Sequence, residues 1–106
     1  PLFSGSGMRV KILEGLALGR IIITTSLGLE GIDAIHKKEV LIADTPQEFI
    51  ECIEFCHKHP GKLREMSDRA KIFVKRHYNN QENAHDLKSL YQRLLKKYRP
   101  VSIEIE

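Results

Sequence analysis

Gly5-Ser6-Gly7-Met8-Arg9-Val10-Lys11-Ile12-Leu13-Glu14-Gly15-Leu16-Ala17-Leu18-Gly19 runs, after one intervening residue, into Ile21-Ile22-Ile23-Thr24-Thr25. The apolar positions Ile12, Leu13, Leu16 and Ala17 recur at helical spacing and predict a helix over 8–18 with one core face. Lys11, Glu14 and Leu18 lie toward its other side. Gly19 is the expected stop, because glycine just past a helix end takes the left-handed conformation without penalty. The unbroken β-branched run 21–25 predicts a strand covered on both faces, the usual state in a parallel sheet.

Working outward, Gly28 and Gly31 around Glu30 mark 26–32 as a loop at the carboxyl end of that strand, where ligands of open α/β sheets bind. Residues 33–38 read as a short helical or irregular link, and 40–43 as a second strand. Thr45-Pro46-Gln47-Glu48 is a strong helix start, with a capping hydroxyl, proline in the first turn and a glutamate to complete a capping box. We expect helices over 46–58, 61–77 and 81–98. His59-Pro60-Gly61 separates the first two and a turn at Tyr78-Asn79-Asn80 precedes the last, with Asn80 as its cap. The inward stripes are Leu63, Met66, Ala70, Phe73 and Val74 on the third helix, and Ala84, Leu87, Leu90, Tyr91, Leu94 and Leu95 on the fourth. Pro100 ends that helix and 101–106 is read as tail. The fold class is α/β, with two parallel strands and about four helices. So thin a sheet is the second half of a doubly wound, Rossmann-like domain, because two strands alone leave an apolar edge.

The chain has 106 residues, 42% of them hydrophobic, and a formal net charge of +3. That is one domain or part of one, too apolar for disorder and too weakly charged to point to nucleic acid. No run of about 18 apolar residues predicts a membrane span, and no secretory leader is visible. The expected location is the cytoplasm. The chain opens at Pro1, so we expect a piece of a longer protein. Cys52 and Cys56 align with Phe49 and Ile53 and are read as small hydrophobes of a buried stripe. With His57 and His59 they match no familiar zinc spacing. The five histidines fit no nucleophile or metal pattern. The basic residues Lys88, Arg93, Lys96, Lys97 and Arg99 are read as a solvated helix face.

The chemistry concentrates in the first block. Gly5 and Gly7 let backbone approach a ligand closely, and a helix N-terminus behind them favours anions. Arg9 and Lys11 add full charge there. Lys11 and Glu14, three apart, share a helical face. Cations beside a carboxylate suit a phosphorylated molecule that also carries hydroxyls, as a nucleotide sugar does. Ser6, Thr25 and Ser26 are further hydrogen-bonding candidates.

With these residues in view, the chain resembles the retaining glycosyltransferases with two Rossmann-like domains, the group often called glycosyltransferase group 1. The likeness rests on the block from Gly5 to Gly19, on Ile21-Ile22-Ile23-Thr24-Thr25, and on Gly28-Leu29-Glu30-Gly31. It continues through Asp44-Thr45-Pro46-Gln47-Glu48-Phe49, Ala70-Lys71-Ile72-Phe73-Val74 and Tyr78, covering about residues 1–95. It implies that residues 1–106 are part of a C-terminal domain that binds a nucleotide diphosphate sugar, the acceptor domain and first strands being absent. It implies that Glu14 is the second Glu of a Glu-x7-Glu motif and meets the ribose. It also implies that Arg9 or Lys11 neutralises the diphosphate, and that Gly5, Ser6 and Gly7 lie beside the phosphates or the sugar. Ser6 stands where the motif has its first Glu, and Ile21 where a Pro is common. Glu30 joins the donor-site candidates.

The expected function is therefore that of a transferase segment binding the donor, inactive alone, with no cofactor and no metal requirement. The acceptor is not readable. The rival reading is a non-catalytic α/β module for nucleotide binding or assembly. A cut domain also exposes a strand edge, so self-association is expected.

Overall fold

The computed structural model describes residues 5–80 and 84–98. The element order is α1 (Gly5–Ala17), β1 (Ile23–Thr24), β2 (Leu41–Ile42), α2 (Pro46–Lys58), α3 (Pro60–Asn80) and α4 (Ala84–Lys97). The two strands pair in parallel, Ile23 opposite Leu41 and Thr24 opposite Ile42. The expected α/β arrangement of two parallel strands with four helices is present. The strands are shorter than 21–25 and 40–43, yet their ladder extends past both ends: Leu41 N–H donates to Ile22 O at 2.9 Å and Ala43 N–H to Thr24 O at 2.8 Å.

Alternation along the strands separates two cores. Ile22, Val40 and Ile42 face one made by Ile12, Leu13 and Leu16 of α1, Ala70, Val74 and Tyr78 of α3, and Leu90 and Leu94 of α4. Ile21, Ile23, Leu41 and Ala43 face the other, made by Cys52 and Phe55 of α2 with Leu63 and Met66 of α3. The sheet thus lies between helices, although Ile21, Ile22, Ile23 and Thr24 are only half-buried and Thr25 is exposed.

The step from α1 to β1 is the tightest part of the fold. Gly19 has φ +74°. Its N–H donates to Leu16 O at 2.9 Å, and Arg20 N–H donates to Gly15 O at 3.0 Å. This is the paired hydrogen bonding of a Schellman ending. Gly15 packs so closely on the returning chain that a Cβ there would stand 2.6 Å from Ile22 Cδ1. At its other end α1 begins earlier than expected: Gly5, Ser6 and Gly7 form its first turn rather than a loop ahead of it.

Helix α2 starts as expected. Thr45 Oγ1 accepts from Glu48 N–H at 3.1 Å, and Pro46 occupies the first turn. The Glu48 carboxylate takes the N–H of Asp44 at 2.9 Å, one residue before the cap, rather than that of Thr45. The buried stripe differs from the expected one. Cys52 is buried and Cys56 half-buried, but Phe49 is 51% and Ile53 49% exposed. The packed face runs through Cys52, Phe55 and Cys56, one residue round the helix, because that face meets β2 and Leu63. Both cysteines are free thiols, and burial pushes each of them up from the usual thiol range.

Helix α3 begins at Pro60 and continues through the expected turn at Tyr78-Asn79-Asn80. Tyr78 extends the four-residue spacing of Met66, Ala70 and Val74, all buried, so burying its ring favours a further helical turn. Asn80 is therefore the last residue of α3, and the expected helix start at 81–83 lies outside the described residues, as does 101–106. On α4, Leu90 and Leu94 are buried as expected, whereas Leu95 is 72% exposed. No described helix is long and apolar enough to cross a membrane.

His77 sits on α3 between two rings, stacked on Phe73 at 5.8 Å and edge-on to Tyr78 at 5.4 Å. Burial holds its imidazole below the usual range; Asp33 opposes this and Arg9 reinforces it. The unfolded chain therefore binds a proton near pH 6.5 that the folded one refuses. The contribution of His77 is complete above about pH 6.5 and is lost as pH falls toward its lower folded value. Urea midpoints should decline from pH 7.5 to 5.5 in the wild type, and less steeply in His77→Gln. Equal slopes in the two proteins would remove His77 as the cause.

Two glycines should respond in opposite directions. Gly19→Ala forces a side chain into the left-handed region and toward Ser67 Oγ, 2.5 Å from the new Cβ, and should cost about 1–2 kcal/mol. Gly61, in α3 with nothing within 4 Å of a Cβ, should gain about 0.4–1 kcal/mol as alanine. Chemical denaturation of the two variants measures both.

Candidate functional site

Two residues apart on a helix means about 200° of rotation, so Arg9 and Lys11 project to opposite flanks of α1. The structure accordingly divides the expected site residues into two groups. On one flank the Arg9 guanidinium lies over Gly31, its Cζ 3.3 Å from where a Cβ would stand. Gly31 has φ +86°, and the exposed Glu30 precedes it in the same turn. Asp33 and His77 complete this corner electrostatically with Arg9.

The loop that brings Gly31 there closes at the carboxyl end of β1 through short hydrogen bonds. Gly28 N–H donates to Thr25 Oγ1 at 3.0 Å, and Ile32 N–H donates to Leu29 O at 2.8 Å. A Cβ on Gly28 would meet Thr24 Oγ1 at 2.5 Å and Met8 Sδ at 3.2 Å. The first turns of α1 and this loop therefore pack against each other. Ser26 is not left open for a ligand. Its N–H donates to Asp44 Oδ1 at 2.8 Å and its hydroxyl to Asp44 Oδ2 at 2.5 Å. These bonds hold the Asp44 carboxyl below the usual carboxylate range and tie together the chain segments leaving the two strands.

On the other flank Lys11 and Glu14 line one cleft of about 270 Å³ with Gly15, Arg20, Ile22, Lys97 and Tyr98. Helix α4 supplies its far wall. The Glu14 side chain is 14% exposed, and its Oε2 lies 3.5 Å from Arg93 Nε of α4. Sequence spacing paired Glu14 with Lys11; the ion pair is made instead by a residue 79 positions away. Arg20, Lys97 and Tyr98 were not among the expected site residues. Arg20 sits 4.8 Å from the Tyr98 ring centroid and Lys97 5.5 Å from it. Arg20 closes α1 and Tyr98 follows α4, so only the tertiary fold brings them together.

Gly5, Ser6 and Gly7 open α1. Chemically, the Lys11 flank offers cations, a mostly buried carboxylate and an aromatic ring. The Arg9 flank offers a guanidinium over a glycine turn. No group of three His, Cys, Asp or Glu side chains that could hold a metal ion occurs among the described residues.

The sequence model of the glycosyl transferase-like family matches residues 3–89. A Klebsiella pneumoniae protein described as an "Uncharacterized 44.6 kDa protein in cps region" is 24% identical over 82 residues. The aligned stretch is 77% of this chain and 21% of that protein, so the chain spans about a fifth of its relative's length. No solved structure matches. With both strands, helices α1 to α3 and the site residues Arg9, Lys11, Glu14 and Glu30 inside the matched residues, the chain belongs to the glycosyl transferase-like family.

Proposed function

We propose that this segment binds the nucleotide diphosphate sugar donor of a glycosyltransferase of the group 1 type with two Rossmann-like domains, in the cytoplasm. Residues 1–106 are then part of the donor domain, and the acceptor site and remaining strands belong to other parts of a larger protein. The observation that carries this reading is the shared cleft of Lys11 and Glu14 on the matched helix α1. Glu14 accepts hydrogen bonds from ribose hydroxyls. Lys11 neutralises the diphosphate, and Arg9 with Glu30 takes the sugar side beside Gly5, Ser6 and Gly7. Catalysis is chiefly stabilisation of charge on the departing diphosphate.

In the full-length transferase, Glu14→Ala and Lys11→Ala should each lose one charge-assisted contact, about 1.5–3 kcal/mol or roughly ten- to a hundred-fold in donor affinity. The Lys11 effect should shrink as salt rises, because its partner is a charged phosphate, while the Glu14 effect should hold. Calorimetry showing unchanged donor affinity in both variants would sink the reading.

The isolated chain is also proposed to self-associate. Among the described residues β1 and β2 pair only with each other; residues 36–37 cover the outer edge of β2, through Ile42 N–H to His36 Nδ1 and Lys37 N–H to Val40 O, so the outer edge of β1 is the one able to accept a strand from another copy. Sedimentation at about 0.1 mM, chosen to populate weak dimers, should show a species above 12.2 kDa; a clean monomer would refute it.

A further inference from the structure

Three helices meet around Glu14. Its side chain, on α1, is 14% exposed, that of Arg93 on α4 is 49% exposed, and Glu14 Oε2 lies 3.5 Å from Arg93 Nε. Tyr78 of α3 belongs to the same junction: burial pushes its phenol up, Arg93 opposes this, and Asp86 and Glu14 add to it. The ion pair is not needed to seat α4, because Leu90 and Leu94 are buried in the core shared with α1 and α3. Nor is it a strong source of stability. A carboxylate loses hydration when it is covered, and one half-exposed cation returns little more than that loss. Lys11, Arg20 and Lys97 line the same cleft as Glu14, yet among the described residues only Arg93 comes within ion-pair distance of its carboxylate.

The contact leaves part of the carboxylate open. Arg93 meets one oxygen only, and Oε1 makes no hydrogen bond among the described residues. A long, freely rotating glutamate side chain must be ordered when a ligand binds, at a cost in affinity. A cation held on a neighbouring helix removes that cost in advance. Arg93 is not itself among the residues that line the cleft, so it acts through Glu14. Resting on the donor reading above, we propose that Arg93 is a positioning residue: from α4 it fixes the Glu14 carboxylate through Oε2, so that Oε1 is free to meet the ribose hydroxyls of the nucleotide. Helix α4 thus contributes to the preference for a ribose without touching the ligand.

Calorimetric titration of the full-length transferase with UDP, GDP and their dideoxyribose counterparts tests this. The wild type should bind at least one of the ribose forms about ten-fold more tightly than its dideoxyribose counterpart, the scale of one hydrogen bond to a charged group. Glu14→Ala should abolish that preference, and Arg93→Ala should reduce it to about three-fold. The ratio does not respond to a general loss of positive charge or of folded protein, because both forms carry the same phosphates and are offered to the same molecules. A merely structural Arg93 would therefore leave it at the wild-type value. If Arg93→Ala keeps or enlarges the preference while Glu14→Ala abolishes it, the positioning role is wrong and the donor reading stands. A preference that survives Glu14→Ala sinks both, as does failure of UDP and GDP to bind the wild type.

Discussion

The close approach of α1 to the chain that follows it governs the rest of the fold. Gly15 lies against the Ile22 side chain, so that a methyl group there would have to displace Ile22 Cδ1, and Gly19 turns the backbone through the left-handed region to send Arg20 back toward the sheet. Gly19 sets the direction of α1 relative to β1, and Gly15 lets the helix come close to the returning chain. Interiors are packed too densely for a helix to shift without its neighbours shifting too. Seating Leu16 and Leu13 in the core therefore also fixes which way Arg9, Lys11 and Glu14 project. The two flanks of α1 are a consequence of this one reversal.

A second constraint acts at the opposite end of the strands. The ladder is short, and parallel pairing gives little per residue, so the carboxyl ends need fastening. Asp44 provides it by accepting both the N–H and the hydroxyl of Ser26, while its own N–H is taken by Glu48 at the head of α2. One carboxylate thus joins the loop after β1, the end of β2 and the start of α2. The loop so held places Gly31 under Arg9 and Gly28 against Met8.

The features legible in the sequence were those encoded locally. Gly19 as a stop, Thr45-Pro46 as a start and the apolar period of α1 each need only a few neighbouring residues, and each is where it was expected. Features decided by a distant partner were not legible. On α2 the stripe through Phe49 and Ile53 and the stripe through Cys52 and Phe55 are both apolar; only the position of β2 and Leu63 selects the second. At the end of α3, Asn79-Asn80 looks like a turn, but Tyr78 adds another buried rung and the helix continues. Arg93 was read as part of a solvated face, because nothing near it in sequence announces Glu14. Tyr98 likewise gains significance only once α4 folds back beside Arg20.

The divided arrangement bears on how such a segment contributes to group transfer. On the proposed reading, a nucleotide along the Lys11 and Glu14 flank would lead its phosphates toward the N-terminus of α1, where the helix carries its positive dipole end. From Gly7 to Glu14 is about 10 Å of helix, enough for a ribose and two phosphates to lie side by side with it. On the other flank of the helix Arg9 lies over Gly31. On the proposed reading, the bond to be broken lies where the flanks meet, and the charge developing on the leaving diphosphate falls between Lys11 behind it and Arg9 ahead. Electrostatic stabilisation is most effective when such donors are already fixed before charge develops. Here the Gly15 and Gly19 reversal fixes the direction of α1, and the Ser26–Asp44 clamp fixes the loop beneath Arg9. The packing that specifies the fold therefore also preorganises the charges that the proposed reaction requires.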